Sequence, residues 1–173
     1  LTTVTVSQEQ TPDQPAVATN AVEAQATNAE SNASTGHYYS DDQGNWYYKD
    51  ANGENLKGAQ TIDGQNVYFR DNGQQVKGGL AKPNGFLDRY YDVDSGDLWT
   101  NRYVEFNGNW YYLGNDGKPV TGAQTINGQE VFFHRYHGFQ IKGDFAGYYS
   151  EVSTDGNYYD GQTGDKVTHK GFV

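Results

Sequence analysis

The segment NGNWYYLGNDGKPVTGAQTINGQEVFFHRYHGFQIKG, residues 107–143, decides the fold because a near copy of it begins 64 residues upstream. Aligned without gaps, residues 43–69 and 107–133 agree at 15 of 27 positions. The shared residues include Trp46 and Trp110 and an Ala-Gln-Thr-Ile run. The chain is therefore a repeat protein, and such a period is typical of architectures in which similar units stack on one another.

Pairs of aromatic residues carry the repeat from Gly36 onward, at spacings of 21, 22, 21, 21 and 26 residues. Turn signals such as Asn52-Gly53 and Asn72-Gly73 follow the pairs, and each precedes a short run that contains Leu or Val. Because Asx-Gly turns tolerate positive φ, this pattern predicts about six β-hairpins of ~21 residues, with these turns at their tips. The pairs are Tyr47-Tyr48, Tyr68-Phe69, Tyr90-Tyr91, Tyr111-Tyr112, Phe132-Phe133 and Tyr158-Tyr159.

The composition favours stacked hairpins over a globule. The 173 residues include 15 Tyr, 8 Phe and 22 Gly, but only 35% are hydrophobic. Since an isolated hairpin is marginal in water, we expect an all-β, elongated β-solenoid in which each hairpin covers its neighbour. Alternation along a strand then predicts that the second aromatic of each pair is interior and the first lines clefts between hairpins.

The composition changes sharply near residue 36. Residues 1–35 contain no Gly, aromatic, Lys or Arg. Such a segment buries too little surface to offset its ordering entropy. We therefore expect a disordered leader at 1–35 and one repeat domain at 36–173.

Charge and composition exclude several classes of partner. The net charge is -10, without a clustered basic face, so nucleic acid and anionic lipid are disfavoured. No apolar run approaches the ~18 residues of a membrane span, and any signal peptide is expected to have been removed. The chain has no Cys, which excludes disulfides and thiolate metal sites, and nothing points to a cofactor.

The Trp-Tyr-Tyr runs, the Ala-Gln-Thr-Ile-x-Gly-Gln runs and the closing Gln-x-Lys-Gly resemble the glucan-binding repeats of bacterial glucansucrases. These are secreted enzymes that polymerise glucose from sucrose into dextran-like α-glucans. The likeness covers residues 36–173, and related aromatic repeats also occur in choline-binding proteins and clostridial toxins. It implies a non-catalytic β-solenoid module of a Gram-positive secreted or cell-surface protein, which binds α-glucan chains and tethers or packs against a catalytic domain.

The same resemblance implies where sugar binds. A glucosyl ring needs a flat aromatic for its C–H face and polar groups for its hydroxyls. By likeness to the family's Gln-x-Lys pattern, the hydroxyls are bound in one pocket by Gln75 and Lys77, stacked by Tyr68 or Tyr90. The second pocket uses the corresponding polar pair with either of two tyrosines. Its residues are Gln140, Lys142, Tyr148 and Tyr158.

Three other residue patterns suggest metal binding or a local loop role. Residues 92–97, Asp-Val-Asp-Ser-Gly-Asp, hint at a calcium loop, but the glycine comes one position early and the twelfth position is Tyr103. His134 and His137 lack a third ligand nearby, so no metal site is predicted. Gln60 and Gln124 are expected to fix loops.

Two other functions stay open from the residues themselves. Choline binding needs an aromatic cage, and only three Trp are spread over the repeats. A purely structural or protein-binding solenoid fits the same pattern. Catalysis by this chain is not predicted, because glycoside-processing barrels need ~250 residues and rigidly paired carboxylates.

Overall fold

The computed structural model describes residues 36–143 and 156–167, and all strands in these ranges belong to two-stranded sheets of consecutive strands. No helix long and apolar enough to cross a membrane occurs in these ranges. The all-β prediction is confirmed. The strands are β1 (His37–Ser40), β2 (Trp46–Lys49), β3 (Gly58–Ile62), β4 (Gln65–Phe69), β5 (Gly78–Ala81), β6 (Leu87–Tyr91), β7 (Arg102–Phe106), β8 (Asn109–Leu113), β9 (Gly122–Ile126) and β10 (Gln129–Phe133).

The hairpin tips lie before the aromatic pairs, which corrects the predicted turn positions. Asp63-Gly64, Asn107-Gly108 and Asn127-Gly128 connect β3 to β4, β7 to β8 and β9 to β10. Both residues of each pair have positive φ, between 50° and 84°. Two consecutive positive φ values match the strand twist of a hairpin. The aromatic pair therefore lies on the second strand of its hairpin.

The turns after the aromatic pairs are real, but each closes only a single β-bridge. Lys49 bridges Asn55, and Phe69 bridges Gln75. Asp50 stabilises the first of these turns, because its Oδ1 accepts the N–H groups of Asn52 and Glu54, each at 2.9 Å. Asx-Gly pairs thus occur in two kinds of turn. One kind joins two paired strands, and the other is closed by a single β-bridge.

The chain forms two compact units. Unit A contains the described residues 36–80 and 89–99, and unit B contains 81–88, 100–143 and 156–167. Each unit holds one copy of the long repeat.

Within unit A, the run that holds Gln75 and Lys77 lies between its own hairpin and the preceding one. The Gln75 N–H donates to the Trp46 carbonyl of β2 at 2.7 Å, and the Val76 N–H donates to the Tyr68 carbonyl of β4 at 2.8 Å. Consecutive amides of an extended run point in opposite directions, so one run pairs on both sides. The Gln-x-Lys run therefore joins two hairpins.

Unit B repeats this arrangement. The Gln140 N–H donates to the Trp110 carbonyl at 2.7 Å, and the Ile141 N–H donates to the Phe132 carbonyl at 2.9 Å. The equivalent residues of both units thus occupy the same backbone positions.

Apolar clusters occur in both units, and the second aromatic of every pair is buried, as predicted. The clusters of unit A centre on Phe69 and Tyr91, and those of unit B on Phe133 and Tyr159. Burial raises the pKa of the cluster-packing Tyr103 to about 12, so this ring packs as a neutral group.

The first aromatic of each pair was predicted to line clefts between hairpins, and this is wrong for two residues, which are buried; the other four are half-buried. Tyr111 and Phe132 are buried, with 0% and 1% exposure. The Tyr111 hydroxyl accepts the Leu87 N–H at 3.4 Å, and Phe132 packs with Ile141 and Tyr159. Residues 81–88 and the longer turn of unit B help to bury these two rings. Alternation along the strand does not predict these contacts. The half-buried four are Tyr47, Tyr68, Tyr90 and Tyr158.

Candidate functional site

The Gln-x-Lys run of unit A lies beside an exposed tryptophan, and we call this group site A (Trp46, Gln75, Lys77 and the turn 92–97). The Lys77 Nζ lies 5.5 Å from the centroid of the Trp46 ring, which is 38% exposed. The same ammonium donates to the Asp94 carbonyl at 2.9 Å. Two contacts therefore hold the lysine in place at the surface.

Gln75 is the buried polar member of site A. Its side chain is 6% exposed, and its Nε2 has no hydrogen-bond partner among the described residues. The amide lies against Gly96, where φ is +79° and an added Cβ would overlap Nε2. A glycine is thus needed both for the backbone conformation and for room. An unpaired buried donor is costly, so this amide nitrogen is an unsatisfied polar group at the base of site A.

The turn at 92–97 forms one wall of site A. The Asp92 Oδ2 accepts the N–H groups of Asp94 and Ser95, each at 2.9 Å. These bonds, that from Ser95 first, hold the Asp92 pKa below its usual value. The carboxylate predicted as a possible calcium ligand therefore stabilises its own turn. Across the described residues, no group of three or more His, Cys, Asp or Glu is placed to hold a metal.

Site B in unit B has the same arrangement (Trp110, Gln140, Lys142 and the turn 160–165). The Lys142 Nζ lies 5.7 Å from the centroid of the Trp110 ring, which is 39% exposed. Gln140 lies against Gly164, where φ is +79° and a Cβ would again overlap its Nε2. The site is therefore built twice from the same residue types.

The carboxylate of Asp160 fixes the site B turn. Its Oδ1 accepts the N–H groups of Gln162 at 2.7 Å and Thr163 at 2.8 Å. These hydrogen bonds, that from Thr163 first, hold the Asp160 pKa below its usual value. The two turns are thus equivalent in their stabilising contacts as well as in sequence.

The predicted stacking tyrosines take different positions. Tyr68 packs with the buried Val76, which alternates with Gln75 and Lys77, so Tyr68 lies on the opposite side of the run. The Arg89 guanidinium lies 5.7 Å from its ring centroid. Tyr90 packs on the ring of Trp99, at a centroid distance of 4.6 Å.

In unit B, Tyr158 is half-buried, and its carbonyl accepts the Val167 N–H at 2.9 Å. Tyr148 lies outside the described residues. The geometry therefore brings Gln and Lys together in both sites, as predicted, and adds a tryptophan to each.

The tryptophans and the wall glycines are the site members that the sequence reasoning missed. Trp46 and Trp110 were visible as identical residues of the repeat, but their contact with lysine comes from the hairpin before the Gln-x-Lys run. Gly96 and Gly164 share a signal too, since both stand in an Asp-x-x-x-Gly-Asp run.

The inserted turn of unit B uses histidine where several other turns, such as that at Asp50, use aspartate. The His134 Nδ1 accepts the N–H groups of Tyr136 at 3.2 Å and His137 at 3.1 Å. The His134 ring, 3% exposed, stacks against both His137 and Phe139, with each centroid distance at 4.7 Å. Its Nδ1 therefore takes the acceptor position that a carboxylate oxygen has in the turn at Asp50.

The two loop glutamines have the predicted local role. The Gln60 Nε2 donates to the Lys57 carbonyl at 2.7 Å. The Gln124 Nε2 donates to the Thr121 carbonyl at 2.9 Å. Both bonds close the loop before the Ala-Gln-Thr-Ile strand.

Two polar cavities lie near these loops, away from sites A and B. One, of about 330 Å³, includes Lys49 and Glu54 in its lining, and the other, of about 310 Å³, includes Lys118 and Gln124. Neither lining contains an aromatic residue, so neither offers a flat face for a sugar ring.

The chain matches a known family of repeats and known streptococcal proteins. The model for choline-binding repeats matches residues 56–103 and 120–170. Glucosyltransferase-I of Streptococcus downei is 47% identical over 80% of this chain, and glucosyltransferase-S of Streptococcus mutans is 46% identical over 77%. The chain spans only 8% and 9% of the length of these relatives. These matches confirm the predicted resemblance.

Solved structures also match this chain. Choline binding protein F of Streptococcus pneumoniae superposes with a TM-score of 0.55 at 25% identity, over 76% of this chain and 41% of that one. An alternansucrase in complex with isomaltononaose matches at 33% identity and a TM-score of 0.35, over 76% of this chain and 12% of that one.

Proposed function

Within the choline-binding repeat family, to which this chain belongs, we propose that the chain is a member specialised for α-glucan. Sites A and B would each bind glucosyl units. The observation that carries this proposal is the recurrence of one arrangement in both units: a partly exposed indole, a lysine ammonium over it and a glutamine amide beside it. The function proposed is binding without catalysis.

The chemistry of the arrangement suits a neutral sugar. Gln75 and Lys77 in site A, and Gln140 and Lys142 in site B, supply hydrogen bonds to hydroxyls. The exposed edge of each indole offers apolar surface to the C–H face of a ring. For further stacking in site A, Tyr90 is favoured over Tyr68, because Tyr68 lies on the side of Val76. In site B the choice between Tyr148 and Tyr158 stays open.

The relatives support a role inside a larger protein. We infer that residues 36–173 are a glucan-binding domain and 1–35 a spacer within a secreted or cell-surface glucosyltransferase of a Gram-positive bacterium. Each site is partly open and so is expected to be weak. Two or more weak sites on one polymer raise its effective concentration, which would keep a growing chain near a catalytic domain.

The shared runs within each unit also support an elongated arrangement. We propose that the hairpins of residues 36–173 continue as one β-solenoid. Small-angle X-ray scattering should then give a radius of gyration well above the ~14 Å of a compact domain of this length. A value near ~14 Å would contradict the solenoid and leave the sites unaffected.

The binding proposal is tested by titrating the protein with isomaltooligosaccharides and by electrophoresis through a dextran-containing native gel. Wild type should be retarded by dextran. The variant Gln75→Ala/Lys77→Ala should bind at site A at least about tenfold more weakly, since two hydrogen bonds to each sugar are lost.

The matched control changes Gln43 and Lys57, which are exposed and lie outside site A. Gln43→Ala/Lys57→Ala should keep the mobility of wild type in dextran. Identical retardation of both double variants would refute the site assignment. No retardation of wild type would refute glucan binding itself.

A further inference from the structure

The aromatic faces in sites A and B are covered by cations of the chain itself. The ammonium groups of Lys77 and Lys142 lie 5.5 and 5.7 Å from the ring centroids of Trp46 and Trp110. Both distances are within the ~6 Å reach of a cation–π interaction. A quaternary ammonium ligand is bound by the same attraction to an aromatic face.

We propose that Lys77 and Lys142 are specificity-determining residues that exclude choline and other quaternary ammonium groups from these repeats. A second cation at the same indole would meet the lysine charge well within the ~8 Å Debye length of physiological salt, so the two charges would still repel each other. A neutral sugar meets no such repulsion and accepts hydrogen bonds from the same ammonium. The positive charge of each lysine thus disfavours quaternary ammonium ligands and favours neutral sugars.

The exclusion is a local effect. The net charge of -10 attracts cations to the chain as a whole, so overall charge does not oppose choline. Lys77 is also held by the Asp94 carbonyl at 2.9 Å, which limits its movement away from the ring. Both indoles keep more than a third of their surface exposed, so removing the ammonium would leave an accessible face.

The test titrates choline chloride at constant ionic strength, with binding measured by equilibrium dialysis and tryptophan fluorescence. Wild type should show no saturable binding. Lys77→Met/Lys142→Met should show saturable choline binding, with an affinity at least about tenfold above the weakest that the titration detects, because the stem is kept and the charge is removed.

Two controls separate local from general effects. Lys77→Arg/Lys142→Arg keeps a cation over each ring and should, like wild type, show no saturable binding of choline. Lys57→Met/Lys118→Met removes the same total charge from two exposed lysines and should also behave as wild type.

Saturable choline binding by wild type overturns the proposal, whatever the variants do. The proposal is also overturned if the Met variant has wild-type near-UV circular dichroism but does not gain choline binding. It is overturned as well if the Arg variant gains as much choline binding as the Met variant. If the double variant does not fold, the single variants Lys77→Met and Lys142→Met, which lie in different units, each carry the same expectation. Sugar binding by wild type is scored separately, so its absence would count against the proposed function alone.

Discussion

Replacing Phe69 with alanine is expected to lower the free energy of unfolding of unit A by about 3–5 kcal/mol. Phe69 is 0% exposed and packs in one cluster with Tyr48, Ile62 and Val67. The lost ring removes apolar burial and leaves a cavity that short strands cannot close by a small shift. Since small domains are stable by only ~5–15 kcal/mol, much of unit A would unfold at moderate urea concentrations.

Urea unfolding followed by near-UV circular dichroism measures this loss. Val93→Ala in the same unit is the control, because Val93 is 55% exposed and its truncation should change stability by less than about 0.5 kcal/mol. Equal stabilities of the two variants would mean that the Phe69 cluster does not hold unit A together.

The second large effect is expected from Gly96→Ala, which should weaken sugar binding at site A at least about tenfold. The new Cβ would overlap the Gln75 Nε2, and Gln75 is 6% exposed, so its amide has little room to move aside. The positive φ of +79° adds strain of about 1 kcal/mol for a non-glycine residue. The change therefore displaces the buried donor while leaving Lys77 and Trp46 in the chain.

Gly53→Ala separates the two causes. Gly53 has φ of +84° and no atom within 4 Å of an added Cβ, so this variant carries the strain without the overlap. Binding is measured by isomaltooligosaccharide titration in a Gln140→Ala/Lys142→Ala background, which isolates site A. Equal affinities for the two glycine variants would contradict the role given to Gln75.

The hairpins and their interior rings could be predicted because they depend on local rules. Alternation along a strand places Val67 and Phe69 on one face, and both are buried. The same rule failed for Tyr111 and Phe132, because their cover comes from residues distant in the chain. Burial by a distant segment leaves no periodic signal.

Only part of the candidate site could be predicted, because some of its residues come from distant parts of the chain. Gln75 and Lys77 could be paired by their spacing on one run. The approach of Trp46 to Lys77 depends on a backbone hydrogen bond from Gln75 to the preceding hairpin, about thirty residues earlier in the chain. The repeat made that tryptophan conspicuous, but only the packing of two hairpins shows what it touches.

The run that pairs with two hairpins at once also sets how such a chain can be lengthened or shortened. Removing one hairpin strips a backbone partner from the run that follows it, whereas one 64-residue repeat contains the run together with both of its partner hairpins. The number of sites of this kind can therefore change in whole repeats with each run keeping both partners. Affinity for a long polymer then becomes a property of copy number, with each site left unchanged.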